Sequence, residues 1–338
     1  MNAQNMNKAQ GADGGGEKQT EKQASKILHV IHHNDPDGIC AAAIVAHANK
    51  QRLIVTLNMD LVSNWPIIFH SVNYNMPVDV SRMKPGDIAV IVDFSYPPAE
   101  MKKIEAALQF PQEKNNNPYL VEGNIIWIDH HASAESYNHP YRGMRDFTNK
   151  GPAGCELTWN YYFGPDIPDA VRHIGDYDSW RLEMENSIEF YEGIKLFCPA
   201  PESRYWESLF DAVDPAADNV FKLIMGAGAL CVQYRENYCA SIRAKYGYET
   251  IFNGHKAFVM NLFGFGSLQF ADLFKAYPLV IAYIYDGKRH TVSLYSETVD
   301  VGEIAQRHGG GGHKGAAGFV CGSLPFGSLN RLNQEDKS

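Results

Sequence analysis

The chain has 338 residues, 45% of them apolar and 20% charged, which is enough for one large domain or two ordinary ones with real cores. A net charge of -9 argues against a surface built overall for long nucleic acids, while a local basic groove cannot be read from a total. The six cysteines (Cys40, Cys155, Cys198, Cys231, Cys239 and Cys321) form no CxxC pair, which speaks against a disulfide framework and a thiolate zinc site and for reduced thiols.

In chain order, residues 1–25 are polar, glycine-rich and almost devoid of apolar side chains, so a disordered tail is expected there and again after Leu329. From Ile27 a short apolar run, a polar cluster and a helical stretch recur. "ILHVI" reads as a strand followed by a helix near Gly38–Lys50; Ile67–Tyr74 and Asp87–Ser95 are further β-rich runs. Pro97 opens a helix at a position where its missing N–H does no harm. Asn124–Asp129 is another strand candidate, and Gly154–Phe163 reads as a helix. Strands alternating with helices imply an α/β fold with a parallel sheet, in which ligands sit beyond the carboxyl ends of the strands.

From Pro165 to about Tyr248 the β signal vanishes, and "DNVFKLIMGAGALCVQYRENYCASIRAKY" has apolar residues at helical spacing. After Gly254 the strands return as "HKAFVMNLF", "PLVIAYIYD" and "HTVSLYS", then a short helix "VDVGEIAQRH" and the run "GGGGHKGAAGFVCG". The expected organisation is therefore a tail (1–25), a parallel-sheet domain (26–185), a helical connector (186–250) and a smaller α/β domain (251–330), with a cleft between the two domains. No apolar leader and no uncharged run of about 18 residues is seen, so a soluble cytoplasmic protein with no membrane partner is expected.

Charge collects where the strands of the first domain end. The first is followed by His33-Asn34-Asp35-Pro36-Asp37-Gly38, "AVIV" by Asp93, and "IIWI" by Asp129-His130-His131, while "HIGDYDSW" places Asp176 and Asp178 in or near a helix. Singly, Asp93 reads as a helix cap and Asp35 and Asp37 as an acidic turn. An Asp-His-His triplet directly after an apolar strand has no such ordinary explanation. Carboxylates pooled on one sheet edge without a basic partner repel one another, and one or two divalent cations reverse that cost. Mixed imidazole and carboxylate donors suit an ion such as manganese. Such a site activates a water that attacks phosphorus, with a nearby histidine protonating the leaving oxygen. In the second domain, the glycines of "GGGGHKGAAGF" let backbone N–H groups approach a phosphate closely, and His313 adds a donor.

Taken together, "HNDPDG", "VDFS", "DHH" and "GDYD" stand in the order of the four motifs of the DHH phosphoesterase superfamily. "VDVGEIAQRHGGGGHKGAAGF" resembles the signature of its DHH-associated C-terminal domain, and the likeness covers about Ile27 to Gly322. The superfamily includes RecJ-type exonucleases, nanoRNases and cyclic-dinucleotide phosphodiesterases. What the resemblance implies is a two-manganese site held by His33, Asp35, Asp37, Asp93 as the bridging carboxylate, His130 and Asp176, with Asp178 a rival to Asp176. It implies that Asp129 orients a neighbouring histidine and that His131 faces the scissile phosphate as stabiliser or acid. Gly309, Gly310, Gly311, Gly312 and His313 would hold the terminal nucleotide or phosphate. Two departures stand out. The histidine that nanoRNases carry four residues before the first aspartate is replaced by Ile31, with His33 two before Asp35. Tyr295 stands in the strand where members often have arginine.

The expected function is a manganese-dependent phosphodiesterase or exonuclease that converts short oligonucleotides or single-stranded ends to nucleoside monophosphates. The alternatives are a hydrolase of small nucleotides (linear or cyclic dinucleotides, 3′-phosphoadenosine phosphate) and an inactive nucleotide-binding module. Partners would be short single-stranded RNA or DNA or small nucleotides, with homodimerisation left open.

Overall fold

The structure is a computed structural model in which residues 26–55, 61–62, 64–74, 76–108, 124–211, 217–262, 264, 266–312 and 314–327 are described. The expected tails and His313 lie outside them. The chain divides into two compact units, one comprising Met1–Arg181 with Ala200–Glu202, the other Leu182–Pro199 with Ser203–Ser338.

The first unit is built on strands β1 (Leu28–His33), β4 (Ile67–Val72), β5 (Ile88–Val92) and β6 (Ile125–Ile128), beside a short antiparallel pair, β2 (Ile54–Val55) and β3 (Leu61–Val62). The four long strands form a wholly parallel sheet in the order β4-β1-β5-β6. β5 and β6 are buried at every position, the pattern of strands covered on both faces. One face carries helix α2 (Pro98–Leu108), whose Met101 and Ile104 join Ile31, Ile91 and Trp127 in a single apolar cluster. Helix α1 (Pro36–Lys50) packs on β1 and on helix α3 (Gly154–Phe163), and its buried Ala41, Ala42 and Ala48 permit the close approach. Helix α4 (Asp169–Asp178) packs on α3.

Register sets up the site. His32 lies opposite Val92, and Val92 opposite Ile128, so the next residue of each strand falls in one row: His33, Asp93 and Asp129, all at the carboxyl edge. At the amino end of the same sheet, the fully buried His29 places Nδ1 3.0 Å from His70 Nε2 and Nε2 3.2 Å from Asp87 Oδ2. Burial holds His29 below the ordinary histidine pKa, and burial together with His29 pushes His70 down to about 4.

In the second unit, helix α7 (Ala217–Tyr246) packs on α5 (Ser187–Phe197) and α6 (Tyr205–Phe210). Its contact with α5 is a backbone approach. A Cβ on Gly228 would stand 1.7 Å from the Glu189 carbonyl oxygen, and one on Gly193 would stand 2.1 Å from that of Ile224. A six-stranded mixed sheet follows, in the order β11-β12-β10-β9-β8-β7. Its strands are β7 (Tyr248–Phe252), β8 (His255–Asn261), β9 (Leu279–Tyr285), β10 (His290–Tyr295), β11 (Gly311–Gly312) and β12 (Ala316–Cys321). Helix α8 (Val301–Arg307) covers one face over Val259, Ile281 and Leu294, while Cys239 of α7 joins Met260, Phe270 and Val280 in a second cluster. β7 precedes the point where the sequence pattern resumes. It is closed onto β8 by Asn253-Gly254, both at positive φ, the geometry of a two-residue hairpin turn.

Candidate metal centre

Each polar cluster is placed by a strand end or a helix end. His33 is the last residue of β1. Asp35 caps α1, one oxygen accepting the Gly38 amide at 2.9 Å, and its other oxygen lies 2.7 Å from His33 Nδ1. The acidic turn and the site are thus one structure. Gly38 is required there because a Cβ would meet the His33 carbonyl oxygen at 2.3 Å.

Asp37 is fully buried and turned toward the N-terminus of α3, where its two oxygens accept the amides of Gly154 and Cys155 at 2.8 Å each. Unsatisfied first-turn amides and the helix dipole favour a carboxylate there. Gly154 makes the approach feasible, since a Cβ would lie 2.6 Å from Asp93 Cβ and 2.9 Å from Asp37 Oδ2. Ala153 and Glu156 complete this helix start, the Ala153 amide donating to Glu156 at 2.8 Å, and Arg181 clamps both Glu156 oxygens at 2.9 and 2.8 Å.

Asp93 follows β5 with φ +52, a left-handed backbone that costs an ordinary side chain roughly 1–2 kcal/mol and that aspartate tolerates better than most. It is 1% exposed, and neither carboxylate oxygen has a hydrogen-bond partner among the described residues. His130 Nε2, equally unpartnered, lies 3.1 Å from Asp93, 3.4 Å from Asp178 and 3.6 Å from Asp37. Three overlapping groups of donors result, each with its ligand atoms within 4.8 Å of one another: His33–Asp35–Asp93 and Asp37–His130–Asp178, with Asp93–His130–His131 between them. Burial, then Asp37 and Asp35, hold the carboxyls of Asp93 and Asp178 well above the ordinary range. Burial alone would lower His33, but Asp35 and Asp93 outweigh it and raise it to about 10. Among the described residues no lysine or arginine forms an ion pair with Asp35, Asp37, Asp93 or Asp178. Orphaned buried oxygens, two imidazoles and four carboxylates without a fixed cation are a donor set that fits divalent ions.

The fourth motif leaves Asp176 and Asp178 as rivals. Asp178, not Asp176, reaches the cluster; Asp176 lies 3.8 Å from Arg181 Nε. Two residues along an α-helix are about 200° apart, so only one can face His130. Asp129 keeps out of the donor set because its oxygens are taken. One accepts from the Ser95 hydroxyl, itself a partner of Trp127 Nε1, and the other from the His130 amide and His131 Nδ1, at 2.9 and 2.7 Å. That leaves His131 Nε2 as the free ring nitrogen.

The glycine run divides by role. Gly309, at φ +78, is the left-handed residue that closes α8: its amide bonds Gln306, and that of Gly310 bonds Ala305. A Cβ on Gly310 would meet the Gly318 carbonyl oxygen at 2.0 Å, and one on Gly312 would meet Ala317 Cα at 2.5 Å, so both are demanded by the β11–β12 pairing. Gly309 and Gly311 both have open space around the missing side chain, and of these two only Gly309 needs the left-handed backbone.

Comparison with solved structures identifies this architecture. The exonuclease RecJ bound to manganese superposes with a TM-score of 0.50 at 14% identity, covering 88% of this chain and 86% of that one. The DHH domain of a member of a ribosomal-protein family gives 0.50 at 16% identity, over 92% and 85%. This is the DHH fold. No family model matches the chain. An uncharacterised protein of Acanthamoeba polyphaga mimivirus is 25% identical over 232 residues, 61% of this chain. The match spans 51% of the viral protein, about half its length. On the DHH fold the donor cluster lies at the carboxyl edge of the parallel sheet, where open α/β sheets bind their ligands. Among the described residues no helix is long and apolar enough to cross a membrane.

Proposed function

We propose that the chain is a divalent-metal-dependent phosphoesterase that hydrolyses short oligonucleotides or small nucleotides to nucleoside monophosphates. The observation that carries this reading is the pair of donor groups meeting at Asp93 and His130, built from buried oxygens and nitrogens that nothing else in the fold satisfies. The likeness in fold to RecJ bound to manganese supports Mn2+ as the occupant, and the donor groups on either side of Asp93 and His130 support two ions. His33, Asp35 and Asp93 would hold one position and Asp37, His130 and Asp178 the other, with Asp93 between them. Bound there, the ions supply Lewis acidity toward the phosphoryl oxygens and lower the pKa of the attacking water.

The remaining chemistry belongs to the chain. Asp129 fixes the His131 tautomer by holding Nδ1, which leaves Nε2 to stabilise the phosphoryl group or give a proton to the leaving oxygen. The Ser95 hydroxyl and the His130 amide hold Asp129 in place against His131. The amides at the start of α3 keep Asp37 aimed. We assign residues 26–185 to catalysis and residues 251–330, through Gly309–Gly312 and His313, to the substrate's end.

Purified protein with manganese should hydrolyse a labelled RNA dinucleotide, and Asp93→Ala should abolish turnover while the fold persists. No turnover of dinucleotides, twenty-mers, cyclic dinucleotides or 3′-phosphoadenosine phosphate would overturn the reading. The dinucleotide to twenty-mer ratio ranks the substrate classes, and the scarcity of cations around the cluster favours the short one.

A further inference from the structure

Tyr74 belongs to none of the motifs. It stands two residues beyond β4, where Asn73 Oδ1 accepts its amide at 2.8 Å and the Asn73 carbonyl accepts that of Met76 at 3.2 Å. Its ring packs edge-on against His33 (centroids 5.3 Å, 65°) and His131 (5.9 Å, 85°) and tilts onto Phe94 (5.9 Å, 42°). His33 and His131 are themselves edge-on at 5.8 Å, so three rings brace one another above Phe94. Despite this, Tyr74 is 52% exposed, and its hydroxyl has no partner among the described residues.

A rigidly held aromatic ring left half in water beside a phosphoester site has one chemistry to offer that its surroundings lack. Among the described residues the carboxylates of the cluster have no lysine or arginine paired with them, so a phosphate would be left to the bound ions and the base to uncharged groups. Base–aromatic stacking needs no charge, tolerates any base, and is worth roughly 1–3 kcal/mol per base. We propose that Tyr74 is the stacking platform for the base next to the scissile phosphate, making this edge selective for phosphoesters that carry an aromatic base over inorganic or purely aliphatic ones. The inference rests on the phosphoesterase reading for its substrate and deepens it.

The test is a binding titration of calcium-loaded protein with a 5′-phosphorylated adenine dinucleotide and with analogues lacking either base. Turnover with manganese is measured alongside. Tyr74→Ala should weaken binding of the parent roughly 5- to 150-fold, the range that stacking implies. The loss should appear in KM rather than kcat and vanish for the analogue missing the contacted base. Tyr74→Phe should restore binding and Tyr74→Leu should not, and the leucine variant carries the test if the alanine variant fails to fold. The proposal is overturned if Tyr74→Phe loses as much as Tyr74→Ala, if Tyr74→Ala binds as wild type does, if both baseless analogues still feel Tyr74→Ala, or if wild type binds no dinucleotide. Tyr74-dependent binding without turnover would overturn the phosphoesterase reading and leave the platform standing. Turnover indifferent to Tyr74 would do the reverse.

Discussion

At the carboxyl edge of the first sheet, Asp93 holds two buried oxygens that no donor satisfies, whereas along Gly309–Gly312 three of four residues answer to needs of the fold itself. Both stretches are unusual in composition, and only the first is left with unmatched chemistry. Gly309 ends a helix, and Gly310 and Gly312 let β11 lie against β12, so these glycines would be needed whatever the protein did. Asp93 bears the cost of a left-handed backbone and of burial, and His33 offsets it only in part. An odd residue points to a ligand only after the fold's own claims on it have been subtracted.

The sharpest way to break this contrast is to remove the unmatched group. Asp93→Asn keeps the shape and tolerates the same φ, so turnover should fall by about a thousandfold or more, several kcal/mol of metal-derived stabilisation. In chelator the variant should melt above wild type, because a repelled buried carboxylate is gone. A variant that melts lower would show that Asp93 is matched after all. Gly154→Ala comes next. Its Cβ would press on Asp93 and Asp37, so manganese affinity should drop with a stability loss of about 1–3 kcal/mol, read by titration and by denaturant melts. Gly312→Ala should cost a similar amount without touching manganese binding, while Gly311→Ala should leave stability unchanged. Equal losses at Gly311 and Gly312 would erase the division drawn within the loop.

A third region sharpens the comparison by pH. His29, buried, and His70, half-buried, have folded pKa values below the unfolded value, His70 at about 4. Their contribution is therefore fully present above pH ~6.5 and lost as pH falls toward the folded value. Thermal midpoints should decline over that window, and His70→Gln should flatten the decline. An unchanged slope would remove His70 as its source.

The smallest effect compares two helix ends of the same form. α4 closes with Trp180 at φ +56, its amide bonding Tyr177 and that of Arg181 bonding Asp176, as α8 closes with Gly309. Gly309→Ala should cost about 1 kcal/mol, and Trp180→Gly should be neutral or gain up to about that much, since the indole is 41% exposed.

Much of the fold could be read because it is local. β1, β5 and β6 are short apolar runs that each stop at an acidic or imidazole residue, and α7 carries helical spacing across 30 residues. The site was legible as far as strand ends determine it, which covers His33, Asp93 and the Asp129–His131 triplet. Asp176 and Asp178 stayed rivals because helix phase, not composition, separates them. Gly154 was hidden because its reason lies 117 residues away, at Asp37. The β7–β8 hairpin was within reach, since Asn253-Gly254 is a strong turn signal.

His33, wedged 2.7 Å from Asp35 and 3.7 Å from Asp93, has a thermodynamic consequence. With a pKa raised to about 10, the imidazolium is a counter-ion to Asp35 and Asp93, and as a ligand in the proposed metal site it would have to give up its proton. Loading is therefore an exchange of ion for proton. Calorimetric heats of manganese uptake near neutral pH should scale with the ionisation enthalpy of the buffer, and His33→Gln should reduce that dependence.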